Sequence, residues 1–344
     1  MRRNKRAAFL LDRGLPYGYA GSMRSVRKVA ILLLAILLLP GMLSACGGRS
    51  NTSEKGDGLS IVTTVFPLYD WTRAVLGEEA QAQVTFLLDT GVDLHSFQPT
   101  AADLLKISGC DLFLYVGGAS DGWVVDALRA APREGRMELG MLSVLGDRVR
   151  MEELVEGMAG EAEEEPEADE HVWLSLKNAA RLVDGITEAL CALDGEEAET
   201  YRANAAAYIQ KLTALDQAYE NAVSAAGIRT LLFGDRFPFR YMADDYGLSY
   251  YAAFSGCSAE AEASFETVLF LAGKLDELDL PAIVVLEGAD GRLARAILEN
   301  SENADRRIVV MDSLQSTTAA DAQAGVTYLA VMEKNLTALQ DALR

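Results

Sequence analysis

The chain has 344 residues, half of them apolar, which is enough for one large core or two of ordinary domain size and excludes a disordered tail. Its first 45 residues hold eight Lys or Arg and one acid, Asp12, leaving 23 basic against 50 acidic residues and a net charge near −27 on the remainder. Such a surface repels nucleic acid and anionic lipid and enriches cations nearby, so no nucleic-acid partner is expected.

At the start of the chain, Arg24, Arg27 and Lys28 precede an apolar run from Val29 to Pro40, followed by Leu43-Ser44-Ala45-Cys46. A positive segment, a short apolar segment and small residues at the cut make residues 1–45 a signal peptide. The apolar run, twelve residues long, is too short to span a bilayer stably. Leu-Ser-Ala-Cys resembles the bacterial lipobox, which implies that Cys46 is the lipidated first residue of the mature protein and anchors it to the cell membrane. Residues 46–58 are polar and read as a tether. Met23 is an alternative start, since residues 1–22 add nothing that a signal needs.

Apolar runs then alternate with helical patterns: Ile61 to Phe66, Gln83 to Leu88, Leu112 to Val116, Thr230 to Phe233, Leu248 to Phe254, Ala282 to Leu286 and Arg307 to Met311. This alternation predicts an α/β fold of mostly parallel sheet flanked by helices. The arrangement occurs twice. Phe66-Pro67 followed by Gly117-Gly118-Ala119-Ser120-Asp121-Gly122 is echoed by Phe237-Pro238 followed by Glu287-Gly288-Ala289-Asp290-Gly291. Pro67 to Gly118 is 51 positions and Pro238 to Gly288 is 50. Two similar lobes are expected, over residues 59–196 and 227–344.

Between them, residues 197–226 contain no Gly or Pro, and Tyr201, Ala205, Tyr208, Leu212, Leu215 and Tyr219 fall at three- and four-residue steps. At about 1.5 Å per residue, one helix here is long enough to join both lobes as a spine. Glu161 to Glu170 holds seven acids in ten residues and is most simply a solvated loop, although it ends at His171 and also suits gathering cations. With Cys46 lipidated, three cysteines remain and cannot all pair. Cys110 and Cys191 read as buried small hydrophobes, whereas Cys257 follows a strand and faces the same end of the sheet as a ligand would.

The chain holds only two histidines. His95 lies in Asp93-Leu94-His95-Ser96-Phe97-Gln98-Pro99-Thr100, ahead of a helix opened by Pro99 and Thr100. His171 lies in Asp169-Glu170-His171-Val172-Trp173-Leu174. A lone histidine is more often structural than a ligand. Two in loops on the crevice side of the strands, in a chain otherwise lacking the residue, point to a shared site.

These segments resemble the metal-binding solute-binding proteins of ABC transporters, the zinc and manganese group called cluster A-I. The resemblance runs from about Ile61 to the C-terminus. It is carried by Val65 to Tyr69, Asp93 to Thr100, Glu170 to Leu174, Asn204, Tyr246-Gly247-Leu248, Val285-Leu286-Glu287 and Tyr328 to Leu336. It implies two lobes joined by one long helix with a metal ion in the cleft, and His95 and His171 match the first two ligands. Counting back from Tyr241 puts Arg236 at the third ligand position. A guanidinium cannot ligate a cation, so the choice falls on Asp235, with Arg236 orienting a carboxylate and Cys257 or water as alternatives. Asp312 matches an aspartate ligand of manganese-type members, with a helix N-cap as its plain structural role and Glu287 as a neighbour of the site or the alternative ligand.

Two imidazoles with carboxylates suit zinc, with manganese as the alternative, and a thiolate would favour zinc. The expected function is an extracytoplasmic, membrane-anchored lipoprotein that is monomeric, is not an enzyme, and delivers its metal to an ABC permease. A metal-dependent hydrolase is the first alternative, although no HExxH pair or Gly-x-Ser-x-Gly turn is present. The second is a surface adhesin or structural lipoprotein in which the ion stiffens the fold.

Overall fold

A computed structural model of the chain describes residues 58–158, 167–258 and 263–344. The signal peptide, Cys46, the tether through residue 57 and the stretch from Glu161 to Pro166 of the acidic run lie outside the described residues. No described helix is long and apolar enough to cross a membrane.

The first lobe comprises β1 (Leu59–Thr63), α1 (Phe66–Leu76), β2 (Ala82–Phe86), α2 (Ala101–Gly109), β3 (Leu112–Tyr115), α3 (Gly122–Ala130), β4 (Met137–Gly140), α4 (Met141–Leu145) and α5 (Leu176–Leu193). A long helix, α6 (Ala198–Ala225), follows. The second lobe comprises β5 (Thr230–Phe237), α7 (Arg240–Tyr246), β6 (Ser249–Ser255), α8 (Phe265–Glu277), β7 (Ala282–Leu286), α9 (Arg292–Glu299), β8 (Arg307–Met311), α10 (Ala319–Gln323) and α11 (Tyr328–Ala342).

Each lobe is a four-stranded sheet, ordered β2-β1-β3-β4 and β6-β5-β7-β8, with every pairing parallel. The two orders are the same topology, so the doubled motif in the sequence is a doubled fold. In each sheet the chain runs outward from the first strand and then returns to its other side. The loops after β1 and β3, and after β5 and β7, therefore flank the switch points where open parallel sheets bind ligands.

β4 was not among the apolar runs. It is a four-residue edge strand, Met-Glu-Leu-Gly, in which only Gly140 is fully buried, so it carries almost no hydrophobic signal. The run Ile61 to Phe66 is likewise split. β1 ends at Thr63 because Pro67 occupies the first turn of α1, where its missing N–H costs nothing. The helix expected after Pro99 is α2, opened by a reciprocal capping box between Thr100 and Asp103.

α6 buries Tyr201, Ala205, Tyr208, Leu212, Leu215, Tyr219 and Val223 along one face and packs on α5, α1 and α11. Asn204 donates from Nδ2 to the Val75 carbonyl at 3.0 Å, holding the end of α1 where Gly77 turns with φ +80°. A Cβ at residue 77 would come 2.9 Å from that same Nδ2. Tyr219 donates to the Met332 carbonyl of α11 at 2.6 Å. One apolar core runs unbroken from Ile61 and Trp71 through Trp173 and Tyr219 to Met311 and Tyr328, and a smaller one lies under α8 and α9. The lobes thus share a core instead of meeting at a bare hinge.

Asn335 of α11, 1% exposed, closes the end of β8: Oδ1 accepts the Asp312 N–H at 2.8 Å and Nδ2 donates to the Asp312 carbonyl at 2.7 Å. Asn335→Ala orphans both backbone groups and is expected to cost about 2 kcal/mol. The check is a fall in the urea midpoint with an unchanged slope.

Candidate metal centre

His95 sits in a single 3₁₀ turn, Leu94–Ser96, capped by Asp93, whose Oδ1 accepts the His95 backbone N–H at 2.9 Å. His171 immediately precedes another such turn, Val172–Leu174, and Asp169 Oδ1 accepts its backbone N–H at 2.8 Å. Both histidines are thus presented by the same device, an aspartate two residues upstream. Their rings meet with Nε2 of one 3.4 Å from Nε2 of the other.

The far side of each ring is held. His95 Nδ1 lies 2.7 Å from Ser120 Oγ, and Ser120 in turn bonds Glu170, its backbone N–H donating to Oε1 at 2.8 Å. His171 Nδ1 lies 3.0 Å from Asp169 Oδ1. A carboxylate only accepts, so His171 Nδ1 carries the hydrogen, and donation from His95 Nδ1 to Ser120 Oγ places its hydrogen likewise. What remains between the rings is two Nε2 lone pairs, or one proton shared between them. Imidazoles oriented by second partners in this way are the usual preparation for metal binding. The 3.4 Å separation also equals, within about 0.1 Å, the edge of a tetrahedron of zinc–nitrogen bonds.

Two glycines permit this approach. A Cβ on Gly118 would fall 2.1 Å from Glu170 Oε1, and one on Gly256 would fall 3.1 Å from His171 Cε1 and Nδ1 and 2.9 Å from the Phe237 carbonyl. Gly118 belongs to the repeated loop after β3, and Gly256 to the turn after β6.

Electrostatics separate the two histidines. Burial, together with the charge of His171, pulls the His95 pKa down to about 4. Burial opposes a charge on His171 as well, yet the hydrogen bond and charge of Asp169, with Glu152 and Glu170 nearby, hold its pKa above the ordinary imidazole value. Glu170 is itself pushed up by burial, and its Oε2 has no hydrogen-bond partner. His171 is fully buried and His95 partly so. A cavity of about 380 Å³ reaches His95 from between the lobes, lined by Asp93 and Ser96 on one side and Asp235, Arg236 and Phe254 on the other.

Arg236 does orient a carboxylate: its Nη2 donates to Asp93 Oδ2 at 2.7 Å, tying the second lobe to the turn that presents His95. Asp93 is desolvated, but this guanidinium holds its pKa below the usual carboxylate range. Asp235 lines the same cavity as His95, with its oxygens accepting the backbone N–H groups of Arg236 at 2.8 Å and Leu286 at 3.2 Å. Asp312 lies at the end of β8, where its Oδ1 accepts the Leu314 N–H at 2.8 Å in a turn with Leu314 at φ 63°. Burial raises its pKa to about 6. Glu287 accepts from the Ser313 N–H and hydroxyl, each at 2.7 Å, and so braces that turn.

Among the described residues, the groups that bring three ligand atoms within 4.8 Å of one another are His95, His171 and Cys257, and Glu152, Asp169 and His171. Asp235 and Asp312 belong to neither. Asp169 was passed over in the sequence although it stands two residues before His171, at the spacing Asp93 has to His95. Ser120 was visible only as part of the repeated loop. Nothing in the sequence marked Glu152, which sits far from both histidines along the chain.

Two parallel-sheet lobes with an imidazole pair presented at their shared cleft define a two-lobed cleft-binding protein. The chain matches the family described as zinc-uptake complex component A, periplasmic, over residues 61–342, and it belongs to that family. It is 34% identical over 319 residues to the zinc-binding lipoprotein AdcA of Streptococcus pneumoniae serotype 4, an alignment covering 92% of this chain and 61% of that protein. It is 28% identical over 317 residues to the high-affinity zinc uptake system protein ZnuA of Bacillus subtilis strain 168, covering 88% of this chain and 94% of that protein. The zinc-bound ZnuA-like domain of S. pneumoniae AdcA superposes with a TM-score of 0.67 at 33% identity, over 83% of this chain and 99% of that domain. The family is one of binding components for zinc uptake and not of enzymes, which sets the hydrolase alternative aside.

Gly118→Ala forces Glu170 to move and is expected to cost about 1–3 kcal/mol by overpacking. Gly122→Ala, whose Cβ meets nothing within 4 Å, is the matched control and should leave the melting temperature nearly unchanged.

Proposed function

We propose that this chain is the extracytoplasmic capture component of a zinc importer, held at the cell membrane by lipid on Cys46 and handing its ion to an ABC permease. The observation that carries the reading is the convergence of two Nε2 atoms at 3.4 Å with both Nδ1 atoms already committed. Two neutral imidazoles favour a borderline ion such as zinc over manganese, which prefers an oxygen-rich set. The zinc-bound state of the similar AdcA domain and the zinc-uptake names of the relatives support the same ion. The acidic surface and the cavity on the His95 side supply attraction and access. The family supports a transport complex as the partner, and the lipoprotein relative supports the anchor.

Calorimetric titration with zinc and with manganese tests the capture step. His95→Ala and His171→Ala are each expected to lose at least about 100-fold in zinc affinity, and Asp169→Asn about 10–100-fold through the orientation of His171. Zinc binding unchanged in His95→Ala, or manganese bound more tightly than zinc, would contradict the assignment.

Cys46→Ser tests the anchor. In cells of the source organism the variant should move from the membrane fraction to the soluble extracytoplasmic fraction and lose incorporation of labelled palmitate.

A further inference from the structure

We infer that the Cys257 thiolate is the third protein ligand of the captured ion, making the site two imidazoles and one sulfur. This rests on the zinc-capture reading and names the residue that completes it. The ligand atoms of His95, His171 and Cys257 all lie within 4.8 Å of one another. Zinc–nitrogen and zinc–sulfur bond lengths give a tetrahedral N···S edge of about 3.6 Å, so each N···S separation has at most about 1.2 Å to close.

The backbone is built to bring this residue in. β6 delivers the chain to Gly256, where a Cβ would crowd the His171 ring at 3.1 Å and the Phe237 carbonyl at 2.9 Å, and the next residue is Cys257. The Cys257 N–H donates to Glu152 Oε1 at 3.3 Å, which fixes the turn against the first lobe.

Three of the nearby carboxylates are otherwise engaged. Asp235 receives two backbone N–H groups, Asp93 receives Arg236 and the His95 N–H, and Asp169 receives both nitrogens of His171. Arg236, at the sequence position where the resemblance places a third ligand, is spent on Asp93 and cannot bind a cation. Among the described residues, the thiol is the third donor that groups within 4.8 Å of the ligand atoms of both histidines, whereas Glu152 and Asp169 group with His171 alone. On binding, the S–H bond breaks, a Zn–S bond forms and the proton is released to water.

A thiolate is a softer donor than a carboxylate, so its consequence is selectivity: it strengthens zinc and leaves manganese little to gain. The test uses the full-length protein loaded with cobalt(II), whose thiolate complexes show a near-ultraviolet sulfur-to-metal charge-transfer band. The parent is expected to show this band. Cys257→Ser should lose it while still binding cobalt through the histidines, with zinc affinity lowered at least about tenfold and the zinc-over-manganese preference reduced. Asp235→Asn should retain both band and affinity. A parent that binds cobalt without the band overturns the inference and leaves zinc capture standing, as does Cys257→Ser binding zinc as tightly as the parent. A parent that binds neither cobalt nor zinc overturns the capture reading itself.

Discussion

Everything about the cleft follows from turning two imidazoles Nε2 to Nε2 at 3.4 Å. Left alone, two such lone pairs repel, and each ring would swing towards water or another donor. The scaffold prevents this by anchoring each Nδ1, to Ser120 for His95 and to Asp169 for His171. Those anchors need anchors of their own. Ser120 is set by Glu170, Glu170 occupies the space a Cβ on Gly118 would take, and His171 packs closely on Gly256. A small geometric requirement at one contact thus fixes residues in four separate loops.

The two rings are supported unequally. His171 is followed two residues later by Trp173, whose ring stands edge-on to the imidazole at 5.5 Å between centroids. The Trp173 indole donates to the Ser313 carbonyl at 2.9 Å, and its own carbonyl accepts from Tyr328 at 2.6 Å. Tyr328 packs in turn on Trp71 of α1. His171 is therefore welded into the core that both lobes share. His95 follows Leu94, which is buried in the same core, and its turn is also tied to the second lobe through Asp93 and Arg236, a pair about one quarter exposed on each side. A partly exposed ion pair contributes little stability and breaks easily. The cavity opens on the His95 side.

The doubled α/β lobes and α6 were legible because they are written in period and length, the signals that survive without tertiary information. The histidine pair was legible for a different reason: two imidazoles in a 344-residue chain, both in crevice-side loops, are a chemical rarity. β4 was not, since a four-residue edge strand whose one buried residue is Gly140 has no hydrophobic period to read. The network around the rings was hidden more deeply. Ser120 meets His95 across 25 positions, Glu170 meets Ser120 across 50, and Arg236 meets Asp93 across 143, so none of these contacts leaves a local pattern. Arg236 was readable as something that could not be a ligand, but only the fold supplies the carboxylate it serves.

The division of proton affinity between the rings completes the logic of reversible capture. Burial and the neighbouring charge keep His95 neutral down to about pH 4, while the carboxylate behind His171 holds a proton there above the ordinary imidazole range. A single proton on His171 Nε2 facing the His95 lone pair would make the 3.4 Å contact a hydrogen bond. In the proposed capture, a divalent cation entering from the His95 side would meet one free lone pair and displace this proton to gain the second. The Asp169 bond is to Nδ1, so an exchange at Nε2 would not require it to break. Protons compete with the metal for the same nitrogen, so the release direction is favoured as pH falls and the capture direction as it rises.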